Sequence, residues 1–294
     1  MKNILIAGSP KSGTTALYFR IKNSLKEEYK DFFEPSDFEQ IDSLINNKQN
    51  VISKIVLYRS FPQDILSKFN KKVLIIRDPR DTLISALLYE GAYHAAWQDS
   101  PKDILKYRQL LQGKENNPES VSVYQLWNTL VKKSLTIDDF IARINRVISF
   151  YLDFPESFAL KYEDFISGQS ISSLSNYLDL EINQQVEIPQ HFKRVVRTKS
   201  SGNWQSWFLD SDIEYFKPLF VDYMSKFQYD MSSWDSPQAE RSISTEHCSQ
   251  YFLKLVNERR KLHKLKPVKT ERNNEDTVFS INFSSKILSW LKNA

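Results

Sequence analysis

From Gly8 to Thr15 the chain reads Gly-Ser-Pro-Lys-Ser-Gly-Thr-Thr, a run of small residues with one lysine inside it. The run follows Ile4–Ala7, an apolar stretch with the length of a buried strand, and leads at Thr14 into a helical pattern. A strand, a tight turn and a helix N-terminus form an anion cradle. Unpaired backbone N–H groups and the positive end of the helix dipole converge on the turn. Gly8, Gly13, Thr14 and Thr15 are spaced as in a P-loop, but Thr14 stands where a nucleotide kinase carries its lysine. The lysine lies in the turn instead, as Lys11. That displacement points to a phosphate-like donor other than an ordinary nucleoside triphosphate.

A second anion site has the right position to lie beside the first. Val73–Ile76 is apolar at every residue, as a parallel strand covered on both faces should be. Arg77 follows at its C-terminal end, where open α/β sheets bind ligands. Asp78 then fits an N-cap, Pro79 the first helical position, and Asp81 the third position of a capping-box-like start. Ser85 comes about two turns after Asp78 and projects from the same helix face. The planar fork of Arg77 and the Ser85 hydroxyl suit a second phosphate. The plain alternative is an Arg77 salt bridge and a satisfied Ser85.

The elements that must position these groups read as an α/β fold: a P-loop-type parallel sheet with helices on both faces, plus a C-terminal extension. Strands are expected at Ile4–Ala7, Val51–Leu57, Val73–Ile76 and Phe158–Tyr162. Helices are expected over about Thr14–Glu28, from Asp78, and over Val123–Leu135, Ile137–Leu152 and Ile171–Leu178. Residues 98–120, with Pro101, Gly113, Asn116, Asn117 and Pro118, read as a surface loop or lid. The single catalytic domain spans 1–230. Residues 231–294 form the extension: a Ser-rich polar linker, a basic helix over 251–270 and a short terminal helix. In 251–270, Phe252, Leu255, Val256, Leu262 and Leu265 recur at the spacing of one helix face. That stretch carries seven Lys or Arg against one acid, Glu258. It fits a helix packed on the catalytic domain, or a peripheral contact with an anionic surface or acceptor.

The composition sets outer limits. The chain has 294 residues, 40 basic against 36 acidic, and a single cysteine, Cys248. One cysteine excludes an internal disulfide framework and a cysteine-cluster metal site. The small positive charge suits anionic ligands without calling for nucleic acid. No run approaches the roughly 20 apolar residues of a membrane span, and the first strand is entered by Ile4, so a soluble, cytoplasmic protein is expected.

With these residues in view, the chain resembles the sulfotransferases that use 3′-phosphoadenosine 5′-phosphosulfate (PAPS). Pro10, Lys11, Ser12, Gly13, Thr14 and Thr15 look like that family's 5′-phosphosulfate loop, and Arg77 with Ser85 like its 3′-phosphate pair. Tyr162-Glu163-Asp164-Phe165 resembles a family strand end. The segment from Arg197 to Gly202 and Trp204 resembles the late loop that closes over the 3′-phosphate. The resemblance covers roughly residues 3–230 and implies sulfuryl transfer from PAPS, as co-substrate, to an acceptor hydroxyl, with no metal.

It is closer to carbohydrate or bacterial-type members than to cytosolic small-molecule ones. The latter carry a histidine where this chain has Lys54-Ile55-Val56, a Lys-Gly pair where it has Thr198-Lys199, and an aromatic where it has Ala16. The general base must come from elsewhere. Glu34, nineteen residues after Thr15 in Phe32-Phe33-Glu34-Pro35, resembles the Glu-Pro or Glu-Glu element of carbohydrate and tyrosyl-protein enzymes. Its aromatic neighbours could desolvate it and raise its pKa. His94 is the competitor. The resemblance places Lys11 near the bridging oxygen, where it would neutralise charge on the leaving group. A sugar or small metabolite is the expected acceptor. Two other readings stay open: an ATP-dependent P-loop phosphotransferase with Asp78 on Mg²⁺, and a non-catalytic nucleotide- or glycan-binding module.

Overall fold

Strand β1 (Asn3–Gly8) is buried at every residue because it is the central strand of a parallel sheet. The computed structural model describes residues 2–183, 189, 200–235 and 241–269. In these, β2 (Lys30–Phe33), β3 (Val51–Lys54), β4 (Lys71–Ile76) and β5 (Phe158–Lys161) complete the sheet in the order β2-β3-β1-β4-β5, every pair parallel. The helices are α1 (Thr14–Lys22), α2 (Glu39–Asn46), α3 (Gln63–Ser67), α4 (Pro79–Gln98), α5 (Pro101–Asn116) and α6 (Val123–Leu130). They continue with α7 (Ile137–Asp153), α8 (Tyr162–Ser167), α9 (Ile171–Leu178), α10 (Trp204–Trp207), α11 (Asp210–Lys226) and α12 (Ser249–Leu262). This is the expected α/β class.

The register sets the strand ends along one edge. Lys54 is level with both Ile6 and Phe33, Gly8 with Ile75, and Ile76 with Lys161. Each chemically interesting residue of the sheet follows a strand's C-terminal end on that edge.

The chain divides into two compact units, the first Met1–Ser85, Asp138–Asn203 and Phe216–Ser236, the second Ala86–Ile137, Trp204–Tyr215 and Pro237–Ala294. In the first, Ile4, Ile6, Ile52, Val73, Ile75 and Leu160 present alternate strand positions to Leu17, Ile21, Phe165, Leu174 and Leu178. Each such side chain contributes about 1.5–3 kcal/mol on burial.

Residues 98–120 are not a loop. Most of them form α5, and the residues read as breakers sit at its ends. Ser100 is the N-cap and accepts the Asp103 N–H, Pro101 takes the first helical position, and Asn117 is the C-cap. In the second unit α12 packs beside α5, with the Ser249 N–H and hydroxyl both donating to Glu115. Phe252, Leu255 and Val256 are buried as expected, but Leu262 and Leu265 are exposed. The terminal helix expected after residue 270 lies outside the described residues.

The second unit also buries a cation. Lys114 of α5 is wholly buried and donates to the carbonyls of Pro118 (a short bond) and Val121 at 2.7 Å, which closes the α5–α6 connection. Burial pulls its pKa down to about 8, against an opposing pull from Asp212. The unfolded chain therefore binds the extra proton between about pH 8 and the ordinary lysine value, and folding stability rises with pH across that window. Relative to Lys114→Met, wild type should gain on the order of 2 kcal/mol between about pH 7 and pH 10. Parallel pH dependences of the two proteins in urea melts would show that Lys114 keeps its proton when buried.

Candidate active site

The small-residue turn after β1 has the backbone of an anion cradle. Lys11 and Gly13 both adopt left-handed φ, 68° and 97°. The Ser12 N–H and hydroxyl both return to the Ser9 carbonyl, at 3.3 and 2.8 Å, which curls the turn. Gly13 caps α1 with no side-chain acceptor on the first-turn amides, so those N–H groups are set toward the cradle. A Cβ on Gly13 would stand 2.6 Å from the Tyr162 ring. Of the residues expected here, Ser12 and Thr14 are buried, while Pro10, Lys11 and Thr15 are half-buried.

Arg77 follows β4 beside this turn. Its Nη1 donates to the Lys11 carbonyl at 3.0 Å, and its guanidinium lies 4.4 Å from the centroid of the Tyr162 ring. Its Nε and Nη2 are buried with no hydrogen-bond partner. A buried guanidinium with two unused donors has the chemistry to take an anion. Tyr162 thus underlies both the turn and Arg77, packed on Gly13 and on the guanidinium.

The start of α4 is built from carboxylates. Asp78 is the N-cap and accepts the Arg80 N–H at 2.9 Å while gripping the Arg80 guanidinium with both oxygens. The return bond of a capping box comes from Glu163 of α8, which accepts the Asp78 N–H at 3.1 Å and the Tyr229 hydroxyl at 3.0 Å. Burial pushes the Glu163 carboxyl pKa up. Asp81, at the expected third position, accepts the Gly202 N–H at 2.6 Å instead, so the late loop meets α4 one turn before Ser85. Ser85 itself is buried. Arg197 lies outside the described residues. With Asp78 engaged by Arg80, the carboxylate that a Mg²⁺-dependent phosphotransferase would need already has a partner.

On the other side of β1, Glu34 follows β2 and Lys54 ends β3. They form a short ion pair, and the Glu34 N–H donates to the Lys54 carbonyl at 2.8 Å. The Lys54 side chain is 2% exposed and lies 4.3 Å from the Phe33 ring centroid; Glu34 is 45% exposed. The desolvation expected of Glu34 falls on Lys54, whose pKa is lowered by burial against the pull of Glu34. Unlike Arg77, Lys54 is not marked as a strand end, because the apolar run continues past it to Leu57. Along the edge the order is therefore Glu34, Lys54, the Lys11 turn, Arg77, Tyr162. His94 belongs to the second unit, buried, with its Nε2 unpartnered. Among the described residues, no group of three His, Cys, Asp or Glu is placed to hold a metal ion.

A sulfotransferase domain model matches residues 1–228. The chain belongs to the sulfotransferase family. Two solved structures are similar. Mouse sulfotransferase SULT7A1 complexed with PAP aligns at 17% identity and TM-score 0.49, over 76% of this chain and 84% of that one. Retinol dehydratase in complex with androsterone and inactive cofactor PAP aligns at 13% identity and TM-score 0.42, over 76% and 81%. No curated protein matches this sulfotransferase at a significant level.

The contact between Gly13 and Tyr162 is directly testable. Gly13→Ala meets an aromatic ring as well as an unfavourable φ, whereas Gly168, at φ 83°, has open space around its missing Cβ. Gly168→Ala should cost about 1 kcal/mol and Gly13→Ala about 1–3 kcal/mol more in denaturant melts. Equal costs would show that Tyr162 does not buttress the turn.

Proposed function

We propose that this sulfotransferase takes PAPS as its donor and an alcohol, with a sugar hydroxyl the preferred class, as its acceptor. The observation that carries the reading is the pair of unused donors on buried Arg77, set against the anion cradle whose Lys11 carbonyl it binds. Two adjoining anion sites suit a nucleotide with separated 3′- and 5′-phosphates. In this reading the Arg77 fork and the Ser85 hydroxyl hold the 3′-phosphate. The amides of Ser12–Thr15 and the Thr14 and Thr15 hydroxyls hold the 5′-phosphate, with Pro10 shaping the turn. Arg197 and Gly202 close the late loop.

When bound, the donor supplies an electrophilic sulfuryl group. Lys11 stands in the turn to neutralise charge as it develops on the leaving phosphate oxygen. Glu34 accepts the acceptor's proton, and Lys54 orients its carboxylate by ion pairing. The lateral order of the strand ends supports a division of labour: nucleotide on the β1–β4 side, acceptor on the β2–β3 side. His94 is the alternative base.

Labelled PAPS, an acceptor panel and mass spectrometry of the product test the activity. Arg77→Ala should weaken the 3′-phosphorylated product nucleotide by about 2–4 kcal/mol and leave adenosine 5′-phosphosulfate nearly unchanged. Equal losses in calorimetry would remove Arg77 from the 3′-phosphate. Glu34→Gln should abolish most turnover with nucleotide affinity retained, and Lys11→Ala should lower kcat far more than product binding. Wild-type turnover in Glu34→Gln together with loss in His94→Ala would transfer the base to His94. Nucleotide binding without transfer to any acceptor would mark a binding module.

A further inference from the structure

The second unit carries an exposed surface whose residues have been given no part in the transfer. Tyr89, Tyr93 and Trp97 recur every four residues along α4 and form one aromatic stripe. The end of α12 is fastened onto it. Arg259 donates to the Tyr89 hydroxyl at 3.0 Å and lies 4.3 Å from the Tyr93 ring centroid, and the His263 ring lies against Trp97 at a tilt of 36°. Arg260 is buried, donating to the carbonyls of Lys266 at 2.7 Å and Ala96 at 3.4 Å. These two arginines therefore hold the helix end in place.

Beyond them the chain turns sharply. Lys264 is left-handed at φ 58°, its N–H returns to the Lys261 carbonyl at 3.1 Å, and the Leu265 N–H reaches the Arg260 carbonyl at 2.8 Å. This paired closure is a Schellman turn. It fixes Lys261, Leu262, Lys264, Leu265 and Lys266 as a rigid exposed corner. Tyr93, Trp97, Leu262 and Leu265 are each 40–58% exposed. Lys254, Lys261, Lys264, Lys266 and Lys269 are exposed and form no ion pair among the described residues.

We propose that this corner docks on an anionic lipid bilayer, with Tyr93, Trp97, Leu262 and Leu265 entering the interface and the lysines lying at the headgroups. The leucines decide between partners. An anionic glycan or a nucleic acid would engage the lysines but leave both aliphatic side chains in water. A bilayer interface accommodates aromatic, aliphatic and basic groups together. The inference does not depend on the reaction assigned to the first unit.

Flotation of the full chain with vesicles tests it. Phosphatidylcholine vesicles containing roughly one-third phosphatidylserine should bind the protein at about 0.1 M salt, with binding falling as salt rises, and pure phosphatidylcholine vesicles should bind far less. Replacing Lys261, Lys264 and Lys266 together by Gln should weaken binding roughly a hundredfold. Leu262→Ser with Leu265→Ser should weaken it roughly tenfold or more. Lys132→Gln with Lys133→Gln, at exposed sites after α6, should leave it unchanged. All replaced side chains are exposed, so circular dichroism of each variant should match wild type. The proposal falls if anionic vesicles fail to capture the protein, or if the Lys132/Lys133 variant loses as much as the α12 variant. It also falls if the leucine variant binds like wild type, which would make the corner a site for polyanions.

Discussion

A guanidinium buried with two unused donors is the constraint around which the first unit is organised. Removing a charge from water costs several kcal/mol unless a partner replaces the lost hydration. Arg77 receives one carbonyl, from Lys11, and the face of one ring, from Tyr162. The carboxylates that could neutralise it have other partners: Asp78 is gripped by Arg80, and Glu163 accepts the Asp78 N–H and the Tyr229 hydroxyl. The upward shift of Glu163 under burial fits a carboxylate that gains no full counter-charge from Arg77. The guanidinium thus keeps two donors that no protein group takes. Because the same Arg77 holds the Lys11 carbonyl, in the proposed reading an anion on Arg77 would also steady the Lys11 turn.

The parallel sheet sets this buried guanidinium in a row with other charged groups. Strand ends that share an edge place residues side by side at the sheet's spacing, about 4.8 Å from strand to strand. Arg77 and Tyr162 fall on one side of the β1 turn, Lys54 and Glu34 on the other. Glu34 reaches Lys54 through a left-handed φ of 55°, a conformation that costs a non-glycine residue about 1–2 kcal/mol. A half-exposed ion pair contributes less than that to stability. The pair is therefore better understood as fixing the direction of the carboxylate than as holding the fold.

What the sequence made legible was whatever a fully buried parallel strand forces into view. The runs Ile4–Ala7 of β1 and Val73–Ile76 of β4 are apolar because both faces of those strands are covered, and a chemically distinct residue ends each run. β2 escaped notice because it is an edge strand: Lys30-Asp31-Phe32-Phe33 is half exposed and has no continuous apolar run. Without it, Glu34 was only a loop carboxylate, and its bond to Lys54 could not be inferred. Lys54 was concealed by the apolar residues that continue beyond it, which extended the expected strand to Leu57. Residues 98–120 misled for a different reason. Proline, asparagine and glycine mark breaks by their composition, yet here Pro101 begins α5, Asn116 and Asn117 end it, and Gly113 is buried in its last turn.

The corner at the end of α12 illustrates how a fold can present charge at little cost. A left-handed residue after a helix favours glycine, and a lysine there loses up to about 1 kcal/mol. The same position lies at the negative end of the α12 dipole, where a cation gains about 0.3–1 kcal/mol. The two effects nearly cancel, so Lys264 is close to neutral for stability. Leu265 is different. In most such turns the residue that follows the left-handed one packs back on the helix, and its partial exposure here withholds some of that burial. The charge at the corner is accounted for by the helix itself, whereas the apolar exposure beside it is not, and it is this exposure that calls for a partner.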